Sequence, residues 1–248
     1  MEHKEKFYLQ IADNALILSH RLSEYCSNAP FLEEDLANTN VALDLIGLAE
    51  SVYTELASQK GTGTADDYAY RRTEEQFFNC TMTELDYPDF AHLMVRQFFM
   101  DNFHFHFFSE LVHSKDEFLS ALALKSIKEV TYHLRRSSEW IIRMGDGTEE
   151  AHQRMIAAIE RMWSHHEELF TPSEADLEML NNNVAPNLSR IKELCMQKVQ
   201  EIFYFAKLAV PETIPNAYQG KKGIHTEQMG HILSEMQFLP GKYPEAVW

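Results

Sequence analysis

The stretch Phe98-Phe99-Met100-Asp101-Asn102-Phe103-His104-Phe105-His106-Phe107-Phe108 sets the tightest limit on how this chain folds. Its six phenylalanines and one methionine cover every side of a single predicted helix. A helix apolar all round belongs in an interior, yet Asp101, His104 and His106 sit within it. An ionised carboxylate there costs on the order of several kcal/mol unless a cation or hydrogen bonds compensate it. Asp101 is therefore a metal ligand, a member of a polar network, or a remnant of one of these.

The rest of the chain reads as further helices. Nine Gly and eight Pro in 248 residues leave turn signals sparse, which favours long helices over many short strands. A first helix is predicted over 5–27, with Asp13 and Asn14 interrupting an apolar surface of Leu9, Ala12, Leu16 and Leu22. Asn28-Ala29-Pro30 breaks it. A second helix then runs to about Ser58, with Glu33, Glu34 and Asp35 at its positive end. Gly61-Thr62-Gly63 opens a connection of some thirty residues that holds a short charged helix between 66 and 76. The third helix covers about 90–113. Ser114-Lys115-Asp116-Glu117 matches a capping box for a fourth, which ends at Gly145 as its C-cap. Thr148 caps a fifth helix that reaches Phe170. A short helix over 173–181, a long one over 187–208 and one near 226–238 follow, the last inside an irregular tail from about 209. We expect one domain over 1–248.

Two helices joined tightly, a long crossover, then two more joined tightly is the connectivity of a ferritin-like four-helix bundle, here with additional C-terminal helices. Such bundles bind two metals through one Glu from each of two helices and a Glu-x-x-His from each of the other two. The inward candidates are Asp13, Asp44, Asp101, Glu129 and His133. On the second helix the motif reads Asp44-Leu45-Ile46-Gly47, with glycine at the histidine position. On the fourth it reads Val130-Thr131-Tyr132-His133, with valine at the glutamate position. Each half has lost a ligand, and Asp for Glu draws the remaining oxygen back by a methylene, which a metal site absorbs poorly. Asp101 and His104 share a face, as do Glu129 and His133. A mononuclear site from Asp44, Asp101, His104 and His133 competes with a dry network in which these groups bond one another. His133 is then the first expected partner of Asp101, and His104 the second. His152 and His165-His166 lie in charged surroundings and read as surface residues. Arg71-Arg72 and Arg135-Arg136 read as surface ion pairs, and Phe203-Tyr204-Phe205 as core or subunit interface.

The totals exclude several classes. A formal net charge of −16 argues against nucleic acid or an anionic membrane as partner. Cys26, Cys80 and Cys195 fit no disulfide framework or zinc knuckle. No signal-peptide pattern or long apolar run is seen, so a reducing cytoplasm is the expected compartment. No nucleophile triad or dinucleotide fingerprint occurs, and Gly61-Thr62-Gly63-Thr64 lacks the lysine of a phosphate loop.

Lys128-Glu129-Val130-Thr131-Tyr132-His133, Asp101 upstream of it, and Gly220-Lys221-Lys222-Gly223-Ile224-His225-Thr226-Glu227 resemble a known family. It is the PaaC-type phenylacetate degradation proteins, the non-catalytic ferritin-like subunits of phenylacetyl-CoA epoxidase. The resemblance covers essentially the whole chain. It implies a structural subunit of a bacterial multicomponent monooxygenase that binds no cofactor itself. A ferritin-like sister subunit would hold the di-iron centre with intact motifs, and a reductase would supply electrons. The substrate would be phenylacetyl-CoA, bound near the subunit interface, and the product its ring epoxide. Asp44, Asp101 and His133 then fall at vestigial ligand positions, Gly47 and Val130 at lost ones, and Asp13 is the best first-helix match. Lys221, Lys222 and His225 would contact coenzyme A phosphates or a partner, with Thr226 as N-cap of the last helix. Two rivals remain. One is a stand-alone mononuclear oxidoreductase using Asp101, His104 and His133. The other is a homodimeric module that holds a ligand in its own groove.

Overall fold

The structure, a computed structural model, describes residues 2–244 and 246. It is all-α, with no strand among those residues. The helices are α1 (His3–Glu24), α2 (Leu32–Lys60), α3 (Ala65–Tyr70), α4 (Phe90–Leu111), α5 (Glu117–Gly145), α6 (Glu149–His166), α7 (Glu174–Asn181), α8 (Leu188–Phe205), α9 (Glu227–Met236) and α10 (Phe238–Lys242). The predicted order of two helices, long crossover, two helices and C-terminal additions is the order observed. The chain divides into two compact units, residues 1–86 with 218–248, and residues 87–217.

In the first unit α1 packs along α2. α1 is buried along most of its length: the apolar Phe7, Leu9, Ile11, Leu16, Ile17 and Leu18 are buried, and so are the polar Gln10, Asp13, Asn14 and Arg21. Ser19 Oγ donates to the Ala42 carbonyl at 2.9 Å and ties the two helices side to side. Past Gly61, whose φ of +70° ends α2 in the left-handed region, the crossover is ordered by capping. Thr64 and Asp67 form a reciprocal capping box on α3. The C-terminal arm, carrying α9 and α10, belongs to the same unit. It meets the crossover at Gly223, where φ is +79° and a Cβ would lie 2.4 Å from the Glu75 carbonyl oxygen. Only glycine fits both conditions.

In the second unit α4 packs against α5, α6 and α8. Its Phe98, Phe99, Phe103, Phe107 and Phe108 are buried, whereas Phe105 and His106 are half-buried. The rings form one aromatic core. Phe99 lies 5.7 Å from Trp163 and Phe98 lies 6.2 Å from Phe203. His166 stacks on Trp163 at 4.5 Å. Asn102 Nδ2 donates to the Cys195 carbonyl at 2.9 Å and joins α4 to α8.

Several local expectations are corrected. The Ser114–Glu117 capping box is absent. Asp116 is the N-cap of α5, accepting from Leu119 N–H at 3.1 Å, while Ser114 Oγ accepts from Asp116 N–H. An Asp one residue before the helix competes successfully with a Ser three residues before it. Gly145 is the last helical residue rather than a left-handed cap. A Cβ there would lie 2.5 Å from the Ala206 carbonyl oxygen, so close packing explains the glycine. His165 and His166 are buried, not on the surface. α6 turns them towards the core while its charged residues face away. His152 is half-buried, with Nδ1 at 2.5 Å from the Gly145 carbonyl. Of the aromatic triplet, Phe203 is core while Tyr204 and Phe205 are exposed.

Gly61 and Gly223 should respond to substitution by different amounts. Gly61→Ala, with nothing within 4 Å of its Cβ, should cost about 1–2 kcal/mol for the left-handed backbone alone. Gly223→Ala should cost clearly more in a urea unfolding titration, because the Glu75 carbonyl must also move.

Candidate functional site

Asp13, Glu84 and Asp101 are buried carboxylates, alongside Glu168 and the capping Asp176. The first three are each compensated differently.

Asp13 lies inside the first unit with no solvent exposure. Oδ1 accepts from Tyr53 Oη at 2.6 Å and from Arg72 Nη2 at 2.5 Å. Oδ2 accepts from Arg72 Nη1 at 3.0 Å and from Phe78 N–H at 2.8 Å. A carboxylate offers about four lone-pair positions, so none is left for a metal ion. Arg72 is the cation. Its side chain is only 11% exposed, which overturns the expected surface ion pair. The short α3 and the 3-10 turn over Glu74–Gln76 bend the crossover so that Arg72 points inward. It donates to the Tyr68 and Gln76 carbonyls and lies 3.9 Å from the centre of the Phe77 ring. Burial works against the guanidinium charge, but Asp13 and Tyr53 outweigh it and hold the group above its ordinary value. Burial, reinforced by Asp13, pushes the Tyr53 phenol well up. Arg71 does behave as expected, being exposed and 3.3 Å from Asp67.

Glu84 is a fully buried acid that no sequence motif singles out. Oε1 lies 2.6 Å from His225 Nδ1 and accepts from Asn79 Nδ2 at 2.9 Å. Oε2 accepts from Thr226 N–H at 2.8 Å and from Thr226 Oγ1 at 2.7 Å. His225 Nε2 lies 2.9 Å from the Phe77 carbonyl. Burial pulls the imidazole down, but the Glu84 hydrogen bond and charge, the Phe77 carbonyl and Glu74 raise it above its ordinary value. Both ring nitrogens of His225 are thus engaged inside the protein. Lys221 is buried as well, and of the three expected contact residues Lys222 is the exposed one. Thr226 is the N-cap residue of α9 as expected, but its side chain bonds Glu84 instead of the helix. A signal for Glu84 exists in the sequence. The acid follows Phe77-Phe78-Asn79-Cys80-Thr81-Met82-Thr83 much as Asp101 sits among phenylalanines.

Asp101 lies in the second unit. Gln97 Nε2 donates to Oδ1 at 2.6 Å. Ser137 Oγ lies 2.8 Å from Oδ2 and 3.0 Å from the His133 carbonyl on its own helix. Burial pushes the carboxyl up to about 6, against the opposing pull of His133, Ser137, Gln97 and Arg136. The expectation of His133 first and His104 second is thereby refined. Gln97 and Ser137 supply these hydrogen bonds, and His133 acts on the carboxyl through its charge. Gln97 precedes Asp101 by one helical turn, a spacing readable from sequence. Burial and the neighbouring His133 lower His104 to about 3, leaving it neutral. His165 and His166 are lowered by burial to about 4 and about 3. Arg136 is buried, whereas Arg135 is exposed and 3.9 Å from Glu139.

The remaining predicted ligand positions do not complete a site. Asp44 is half-buried, and Gly47 next to it in the motif has no ligand atom. Val130 is buried and has none either, while Glu129 is half-buried. Among the described residues no group of three or more His, Cys, Asp or Glu side chains is arranged to hold a metal ion. Also among them, no helix is long and apolar enough to cross a membrane.

Helix order, the long crossover and buried acids on α1 and α4 define a ferritin-like all-α protein whose carboxylates are answered by protein groups. The chain belongs to the phenylacetic acid catabolic protein family, whose pattern matches residues 2–248. It is 38% identical over 248 residues to one of the subunits of the 1,2-phenylacetyl-CoA epoxidase of Escherichia coli (strain K12), with all of both chains covered.

The two acids should respond differently to substitution. Arg72→Met leaves Asp13 buried without its cation and should cost about 3–5 kcal/mol in chemical unfolding. Adding Asp13→Asn should recover part of that loss. For Asp101, the native carboxyl holds its proton up to about 6 against an ordinary value of 3.8. The native state therefore binds more protons than the unfolded chain between those values, and this group's contribution to stability falls as pH rises through that window. Asp101→Asn should flatten the melting temperature against pH between about 4 and 6, and leave the protein no less stable well above that window.

Proposed function

We propose that this chain is a structural, non-catalytic subunit of a multicomponent di-iron monooxygenase that converts phenylacetyl-CoA to its ring epoxide. The observation that carries the reading is Asp13. It occupies a first-helix carboxylate position in a ferritin-like chain, yet all four of its acceptor positions are filled by Arg72, Tyr53 and the Phe78 amide. Gly47 and Val130 offer no ligand atom at the two places where the ferritin-like pattern calls for His and Glu. Full-length similarity to a subunit of a phenylacetyl-CoA epoxidase supports the assignment of the complex.

On this reading the residues of this chain do not fit a metal, and no redox step runs through it. A ferritin-like sister subunit holds the di-iron centre, and a reductase component delivers the electrons. This chain contributes helical units whose interior charge is balanced by arginine, histidine and amide donors. It works in the cytoplasm, beside an acyl-CoA substrate. Lys222, exposed on the loop fastened by His225, is the cation of that segment that faces solvent.

Metal analysis of the chain purified alone tests the proposal. We expect well under one iron per chain and no oxygen consumption with a reductase and phenylacetyl-CoA. Mixing with the sister subunit should give a stable complex in which activity depends on both chains. Two irons per chain with oxidase activity would overturn the structural role.

A further inference from the structure

α2 is apolar on two faces, and only one of them is covered within its own unit. Val41, Ala42, Leu45, Leu48, Ala49 and Val52 are buried, and α1 packs along the helix. On another face Leu32, Leu36 and Leu43 are 70%, 56% and 61% exposed. At about 100° per residue these three side chains fall within roughly 40° of one line along the helix. Half-buried Thr39 and Ile46 fill the places between, giving the alternating three- and four-residue steps of a helix–helix seam. Phe31, at the head of the line, is also exposed. At the edge of the seam a Cβ added to Gly47 would meet no atom within 4 Å, so another backbone can come close there. Scattered exposed leucines need no explanation, but an aligned apolar seam on a surface marks an interaction site.

The charges around the seam select the occupant. From Leu32 to Gln59 the helix carries Glu33, Glu34, Asp35, Asp44, Glu50 and Glu55, and no Lys, Arg or His. A second copy packed antiparallel would set the acids at 33–35 against Glu50 of its mate, like charge on like charge. An anionic bilayer would be repelled in the same way. We infer that this face of α2 is the docking surface for an amphipathic helix of a different polypeptide, one whose apolar seam is flanked by lysine and arginine. The inference rests on the subunit reading above, and the polypeptide is the di-iron sister. The leucines form the apolar centre of the contact and the acids its rim. The rim sets the partner and the rate of encounter more than the affinity.

Leu36→Ser combined with Leu43→Ser tests the seam, with Leu124→Ser on α5, 54% exposed, as the control. Thermal unfolding reports on folding, and all three leucines are exposed, so the melting temperatures should stay together. Binding to the purified sister subunit is read by calorimetry. The seam variant should bind at least tenfold more weakly and the control within twofold of the parent. Glu33→Lys with Glu50→Lys should slow association and reduce its sensitivity to salt. Normal binding by the parent and equal binding by the seam variant would overturn the docking surface and leave the subunit reading intact. Failure of the parent to bind the sister would overturn both. Loss of a self-associated dimer in the seam variant, with heterologous binding unchanged, would give the face to a second copy and overturn the inference.

Discussion

Ionised oxygen inside an apolar protein has to be met by charge or by hydrogen-bond donors, and the first unit is built around two such encounters. Asp13 on α1 draws Arg72 inward from the crossover. Glu84, at the far end of the same crossover, draws His225 and Thr226 from the C-terminal arm. Segments far apart in sequence with little regular structure are thereby held by charge-assisted bonds, which are among the stronger ones available. Breaking one member leaves the other charge stranded, so the pairs fix the path of the crossover more firmly than its short helices could.

In the second unit the hydrogen bonds to the buried Asp101 come from neutral donors, with His133 and Arg136 acting through charge. Asp101 is held by an amide and a hydroxyl, and burial leaves it half-protonated at a pH of about 6. In the same unit burial lowers His104, His165 and His166, which serve as neutral polar aromatics. His166 stacked on Trp163 packs as a phenylalanine would. A ferritin-like interior can thus retain its acids and histidines while protein groups take the compensating role that a metal ion would have.

Helix order is readable because each long helix has a dense apolar pattern and a polar break at its end. Capping details are less so. Ser114 and Asp116 both suit an N-cap, and only the path of the chain chooses between them. Gly145 looks like a helix stop, but its reason is the Ala206 carbonyl pressed against it, which no local pattern shows. His165 and His166 look like surface residues because their sequence neighbours are charged. On a helix the neighbours in sequence are not the neighbours in space.

By itself the sequence determined that this is a helical chain, that Asp101 is buried among aromatic rings, and that Gly47 and Val130 lack ligand atoms. These follow from side-chain chemistry and helical period, which are local. Tertiary structure alone decided what answers Asp13 and Glu84. Arg72 lies 59 positions from Asp13 and His225 lies 141 from Glu84. Bringing such groups together depends on the fold of an irregular crossover and a C-terminal arm, where no periodic signal tells which side chain turns inward.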